Sequence, residues 1–165
     1  MTKDEEYRID LLEHKENVKK AFDVIFDDIN KYLNISYADA SVLQENIELH
    51  DNSSFDEIEF KGNRQWFFPE PNEDKDRDSM LKAWEHHISV NKHHWEYYVN
   101  DDKVEEIPDI YLVELLCDWV SFSLKYHAIT PLEHYMKIKP KLHPNTERKL
   151  KDCLDIIDNM ELFGW

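Results

Sequence analysis

The sequence predicts an all-α fold, a single bundle of about six helices, and three observations carry that prediction. Only two glycines occur among 165 residues, too few for a fold rich in β-turns or built on a phosphate-cradling glycine loop. Residues 4–33 place apolar side chains at three- and four-residue steps over their whole length, the period of one helix face. No segment sustains the two-residue alternation of a half-buried strand. The length suits one domain, 1–165, and a hydrophobic content of 41% with 13% aromatics is enough to build its core and to exclude disorder by composition.

The elements follow in order. In the first helix, Ile9, Leu12, Val18, Phe22, Ile25, Phe26, Ile29 and Leu33 form the apolar stripe, and His14 sits within it. A second helix is predicted over 38–49, ending at "LHDNSSF", where Asn52 and two serines offer turn and N-cap chemistry to "FDEIEF". "WFFPEPNEDKDRD" is a charged connector with two prolines. Residues 77–98 are read as a helical stretch with an interruption near Asn91. After the connector "NDDKVEEIP", Pro108 stands near the start of a helix whose Ile110, Val113, Leu116 and Val120 mark a buried stripe. A short helix around 131–139 and a final one at about 145–162, capped by Asn145 or Thr146, complete the chain.

Charge and cysteine usage narrow the function classes. A formal net charge of −16 argues against binding a nucleic-acid backbone, which requires Lys and Arg to neutralise phosphates. It leaves open a small anionic ligand held through a metal ion, and an acidic surface that occupies another protein. No apolar run reaches membrane-spanning length and the N-terminus "MTKDEEYRID" has no signal-peptide core, so a cytoplasmic protein is expected. Cys117 and Cys153 form no metal-type pair and are read as reduced structural residues.

"AWEHHISVNKHHWEYY", residues 83–98, holds His86, His87, His93 and His94 between Trp84 and Trp95. On a continuous helix His87, Asn91 and His94 share one face, and His86 and His93 share another about 100° away. His14, the adjacent pair His50-Asp51, and Asp118 in the apolar run "LLCDWVSFS" supply further ligand types on other helices. A carboxylate within an apolar helix needs a partner. Imidazole nitrogen with carboxylate oxygen suits one or two divalent ions, with iron, manganese and zinc as candidates.

The order His … His-Asp … His … His … Asp resembles the HD-domain superfamily of helical metal-dependent phosphohydrolases. "HDNSSFDEIEF", "AWEHHISVNKHHWEYY" and "ELLCDWVSFS" are still more similar to a small family of bacterial and phage proteins of unknown function, DUF5662, from about His14 to Tyr135. The HD resemblance implies an HD-like helical fold with His14, His50, Asp51 and Asp118 as ligands of one metal. It implies His87 and His94 as ligands of a second. The family the chain resembles usually has a lysine shortly after the His-Asp pair, where HD enzymes place a cation near substrate phosphate. Ser54 stands there in this chain, which leaves Lys82, Lys92 or Arg64 to supply a cation.

The function so implied is a metal-dependent hydrolase acting on a phosphoester or nucleotide, a cyclic nucleotide signal among them. Asp51 orients the nucleophile, His86 or His93 protonates the leaving oxygen, and Glu59 supports the site or accepts a proton. Trp84, Asn91, Lys92, Trp95 and Ser54 are the expected substrate contacts, with Trp66 and Tyr98 as further aromatics able to stack a base. Two alternatives stand beside it: a diiron HD-type oxygenase, and a non-catalytic protein that sequesters a nucleotide or a protein. A homo-oligomer is compatible with all three.

Overall fold

Thr2 opens the longest element. Its hydroxyl accepts from the Glu5 amide and the Glu5 carboxylate accepts from the Thr2 amide, a reciprocal cap that starts helix α1, Lys3–Leu33. This helix is about 46 Å long at 1.5 Å per residue. Val18, Ala21, Phe22, Ile25 and Ile29 are buried along it, and His14 continues the same stripe one turn earlier. Ile9 and Leu12, read above as part of the stripe, are exposed because they turn off the buried face, which at this end of the helix carries Tyr7 against Phe60 and Phe68.

The computed structural model describes residues 1–164. After α1 come α2 (Tyr37–Glu48), α3 (Glu57–Phe67), α4 (Arg77–Val90), α5 (Asp109–Tyr126), α6 (Pro131–Ile138) and α7 (Pro144–Asn159). Single 3₁₀ turns at Asn52–Phe55 and Trp95–Tyr98 join some of them. The connector predicted at "NDDKVEEIP" contains a two-residue hairpin, β1 (Val99–Asn100) with β2 (Lys103–Val104), too short to show any alternation in sequence. The architecture is an all-α bundle.

Helix α5 is its axis. Every residue from Leu112 to Ser121 is buried, and its side chains meet the stripe of α1, Leu43 and Ile47 of α2, and Leu150, Leu154 and Ile157 of α7 in one apolar core. Both cysteines lie in that core as free thiols. Helix α7 starts one residue earlier than expected, with the His143 ring rather than Asn145 or Thr146 as its cap. Thr146 is buried and accepts from the Ile107 amide instead. Helices α3 and α4 pack as a close pair. A Cβ on Gly62 would strike the Ser79 carbonyl and contact Ala83, so the absence of a side chain sets their separation.

Helix α4 ends at Val90, at the interruption expected near Asn91, so the helical face that His87, Asn91 and His94 would share does not form. Asn91 leaves the helix in an extended conformation, and its side-chain amide donates to the His87 carbonyl and to Ser53 Oγ. The chain then turns back, so His93 and His94 belong to a loop and not to the helix that carries His86 and His87.

Candidate metal centre

Four elements aim ligand-type side chains at one point: α1 with His14, the turn after α2 with His50 and Asp51, α4 and its following loop with His87, His93 and His94, and α5 with Asp118. Asp51 is the pivot. Its φ of 55° lies in the left-handed region, which non-glycine residues enter at a cost and Asp tolerates better than most. That twist turns the Asp51 carboxylate inward beside the adjacent His50 ring.

Each Asp51 oxygen then faces a different set of nitrogens. Oδ2 lies 3.5 Å from His14 Nε2 and 3.4 Å from His50 Nε2. Oδ1 lies 3.3 Å from His87 Nε2 and 3.4 Å from His93 Nε2. Asp118 closes the first set, with Oδ1 3.1 Å from His14 Nε2 and 3.6 Å from His50 Nε2. Three overlapping candidate ligand groups result among the described residues: His14 with His50 and Asp118; Asp51 with His87, His93 and His94; and, behind them, His50 and His93 with Glu114, the donor atoms of each lying within 4.8 Å of one another. These groups fit a cation by a specific criterion. His50 Nε2, His93 Nε2, His94 Nε2, Asp51 Oδ1 and Asp118 Oδ1 are all buried without a hydrogen bond of acceptable geometry, a cost that a folded protein rarely leaves uncompensated.

Carboxylates behind the rings fix their orientation. His50 Nδ1 donates to Glu114 Oε1 at 2.8 Å, and His93 Nδ1 lies 3.2 Å from the same oxygen. His87 Nδ1 donates to Glu59 Oε1 and His86 Nδ1 to Glu59 Oε2, each at 2.6 Å. Holding the Nδ1 proton makes Nε2 of His50, His87 and His93 the nitrogen that faces the centre and that would present its lone pair to a cation, the tautomer a metal ligand needs. Glu59 is fully buried.

The titration pattern of the metal-free cluster matches a site built for positive charge. Burial by itself would lower His14, but the Asp118 and Asp51 carboxylates beside its ring outweigh this and raise it to about 9. His87 rises to about 10 against the same burial penalty, through Asp51 and Glu59. Burial would raise Asp51 and Asp118, yet the surrounding histidines hold both well below the ordinary carboxylate range. His94 goes the other way: burial and the neighbouring His93 push it down to about 3, so it stays neutral. Protons on His14 and His87 here offset the carboxylate charge that a cation would otherwise offset.

A cavity of about 610 Å³ opens onto Asp51, Asp118 and the second histidine group. Its far walls are Trp84, Trp95, Trp119, Phe122, Tyr126 and Ile129, and among the described residues no lysine or arginine lines it. Glu96, Ser123 and His134 complete the polar part of the lining. Glu96 Oε2 is buried without a partner, and burial raises its carboxyl pKa.

Residues 3–156 match the family of unknown function DUF5662. The chain belongs to that family. No curated protein and no solved structure matches it.

Within this family member the predicted residues divide clearly. His14, His50, Asp51, His87, His94 and Asp118 come together at the centre. His93, read from helical spacing as a spare proton donor, joins them because the loop after Asn91 turns it inward. His86 faces away, held by Glu59 and bordering a shallow outer groove. Glu59 anchors two histidines and does not line the cavity. Of the five expected substrate contacts, Trp84 and Trp95 line the cavity. Asn91 caps α4, Ser54 is buried under its own turn, and the Lys92 ammonium sits 5.7 Å over the Tyr111 ring. Tyr98 is a core residue whose hydroxyl donates to the Lys92 carbonyl, and Trp66 lies under Lys75. Arg64 is engaged by Asp4 and Glu73, and Lys82 borders the outer groove, so neither supplies a cation to the cavity. Glu114, Glu96 and His134 escaped the sequence reading. Glu114 left one usable signal, a second carboxylate four residues before Asp118 in an apolar helix.

Proposed function

We propose that this protein is a metal-dependent hydrolase acting on a phosphoester, with one or two divalent ions of the iron, manganese or zinc type held by His14, His50, Asp51, His87, His93, His94 and Asp118. The observation that carries this reading is the convergence of buried, unpartnered nitrogens and oxygens on both oxygens of one aspartate. The order of these residues along the chain resembles that of HD-domain phosphohydrolases, which supports the reaction class. A divalent ion held there supplies Lewis acidity, acidifying water and offsetting charge that develops on phosphoryl oxygens. The chain's own residues do the rest. Asp51 positions the water, Glu114 and Glu59 hold three imidazoles in the coordinating tautomer, and the aromatic walls exclude bulk solvent. Glu96, raised by burial and facing the cavity, is the group we assign to protonate the leaving oxygen. Among nucleotides, a cyclic one with a single phosphodiester charge suits the site, its flat base stacking on Trp84 or Trp95.

The test is turnover of a phosphoester panel by manganese-, iron- and zinc-loaded protein, with His50→Ala as the control. Turnover that persists at the same rate in His50→Ala would refute the assignment. A second reading is favoured by one observation, the apolar cavity without a basic residue: a diiron centre attacking a C–H bond. Oxygen consumption by the iron-loaded protein without hydrolysis of any panel member would select it.

A further inference from the structure

We propose that the cavity takes a substrate with an apolar, aromatic-sized body and no more than one negative charge, and that it rejects multiply charged phosphates. The proposal rests on the metal-centre reading above and deepens it by naming the charge and shape class of what binds.

Three observations lead there. The first is formal charge. Asp51 and Asp118 face the centre, and Glu59 and Glu114 stand directly behind its histidines. Four carboxylates balance two divalent ions, and they exceed one. The loaded centre therefore has no surplus positive charge with which to hold a polyanion. The second is the wall. Among the described residues no lysine or arginine lines the cavity, whereas Glu96 adds a further acidic group. A multiply charged phosphate would give up its hydration in this pocket without a compensating cation, which is unfavourable. Of the basic residues adjacent in sequence to the lining, Lys125 pairs with Asp10 and Glu13 and Lys92 lies on Tyr111, while Lys137 and Lys139 flank Ile138 without lining the cavity.

The third observation is the mouth. Phe122 and Tyr126 are stacked at 6.0 Å and remain 46% and 56% exposed, with Trp84 at 40% on the opposite side. Exposed aromatics grouped around a cavity mark a surface that binds an apolar body. Ile129 and Ile138 extend that surface. The polar end of the pocket thus offers a place for one oxygen-bearing head group, and everything beyond it favours carbon.

The experiment uses manganese-loaded protein, with retained metal measured by elemental analysis and binding read from tryptophan fluorescence, so no turnover is needed. The probes are diphenylphosphinate, a non-hydrolysable monoanion with an aromatic body; dimethylphosphinate, the same charge without that body; and ADP, a flat base with extra charge. Diphenylphosphinate should bind at least about tenfold more tightly than either of the others, as expected for burying two rings. Tyr126→Ser and Ile138→Ser, neither in contact with a histidine of the centre, should each weaken it by about three- to tenfold. Tyr126→Lys should shift the preference toward ADP. ADP binding as tightly as diphenylphosphinate, or dimethylphosphinate matching it, overturns the proposal while leaving the metal centre intact. Absence of binding by all three probes to protein that retains manganese also overturns it. Protein that retains no manganese overturns the metal-centre reading and this proposal with it.

Discussion

Glu114 Oε1 is the residue-scale feature with the most leverage. One oxygen holds His50 at 2.8 Å and His93 at 3.2 Å, and the Nε2 atoms of these two rings face different oxygens of Asp51. Hydrogen bonds from both imidazoles keep Glu114 below the ordinary carboxylate range, against a burial penalty that would raise it. Glu114→Gln preserves shape and removes the charge, so it should weaken manganese binding by about ten- to a hundredfold, measured by competition with a coloured chelator. Unchanged affinity would reduce Glu114 to a packing role. Among single residues the sequence disclosed the donors better than their supports. His14, His50, Asp51 and Asp118 are conspicuous by type and placement, whereas Glu59 and Glu114 look like any other acidic residue in a chain with 36 of them.

At the scale of elements, the close pair α3 and α4 sets where His86 and His87 meet Glu59. Gly62→Ala should destabilise the protein by about 1–3 kcal/mol, the cost of overpacking a tight contact, visible as a lower midpoint in urea with an unchanged slope. A variant as stable as the parent would show that the two helices part without penalty. Helical periodicity was legible where helices are long: α1 and α5 announce themselves through their stripes. It misled at α4, because the spacing His87, Asn91, His94 is equally compatible with a helix and with a helix that stops. The deciding interaction is long-range, from the Asn91 amide to Ser53 Oγ on the turn after α2, and no local propensity encodes it.

At the scale of the whole molecule, the centre couples stability to pH. In metal-free protein His14 and His87 bind protons more tightly folded than unfolded, with pKa values of about 9 and about 10 against an ordinary 6.5. Their contribution is complete below the unfolded value and disappears as pH rises through the folded ones. Denaturant titrations of metal-free protein should show stability declining between pH 6.5 and about 10. A stability that rises through that range would contradict the charge arrangement. Because the same nitrogens release protons to accept a cation, manganese affinity should increase over this window, followed by equilibrium dialysis at stepped pH. The fold class was legible from scarce glycine and sustained periodicity. The cavity was not, since its wall draws on α4, α5, α6 and the loop between α4 and β1, segments far apart in sequence.

Helix α5 gives the cavity a scale of length. Glu114, Asp118, Phe122 and Tyr126 follow one another at four-residue steps, each advancing about 6 Å along the axis. The first steadies imidazoles, the second faces the centre, and the last two form the wall and its mouth. Tyr126 therefore stands about 12 Å beyond Asp118, which is the reach available to a guest measured from its head group. Phe122 packs on the His14 ring at 4.8 Å, so it is the outermost rung, Tyr126, that can be trimmed to lengthen the molecules that fit while the chemistry at the inner rungs stays as it is.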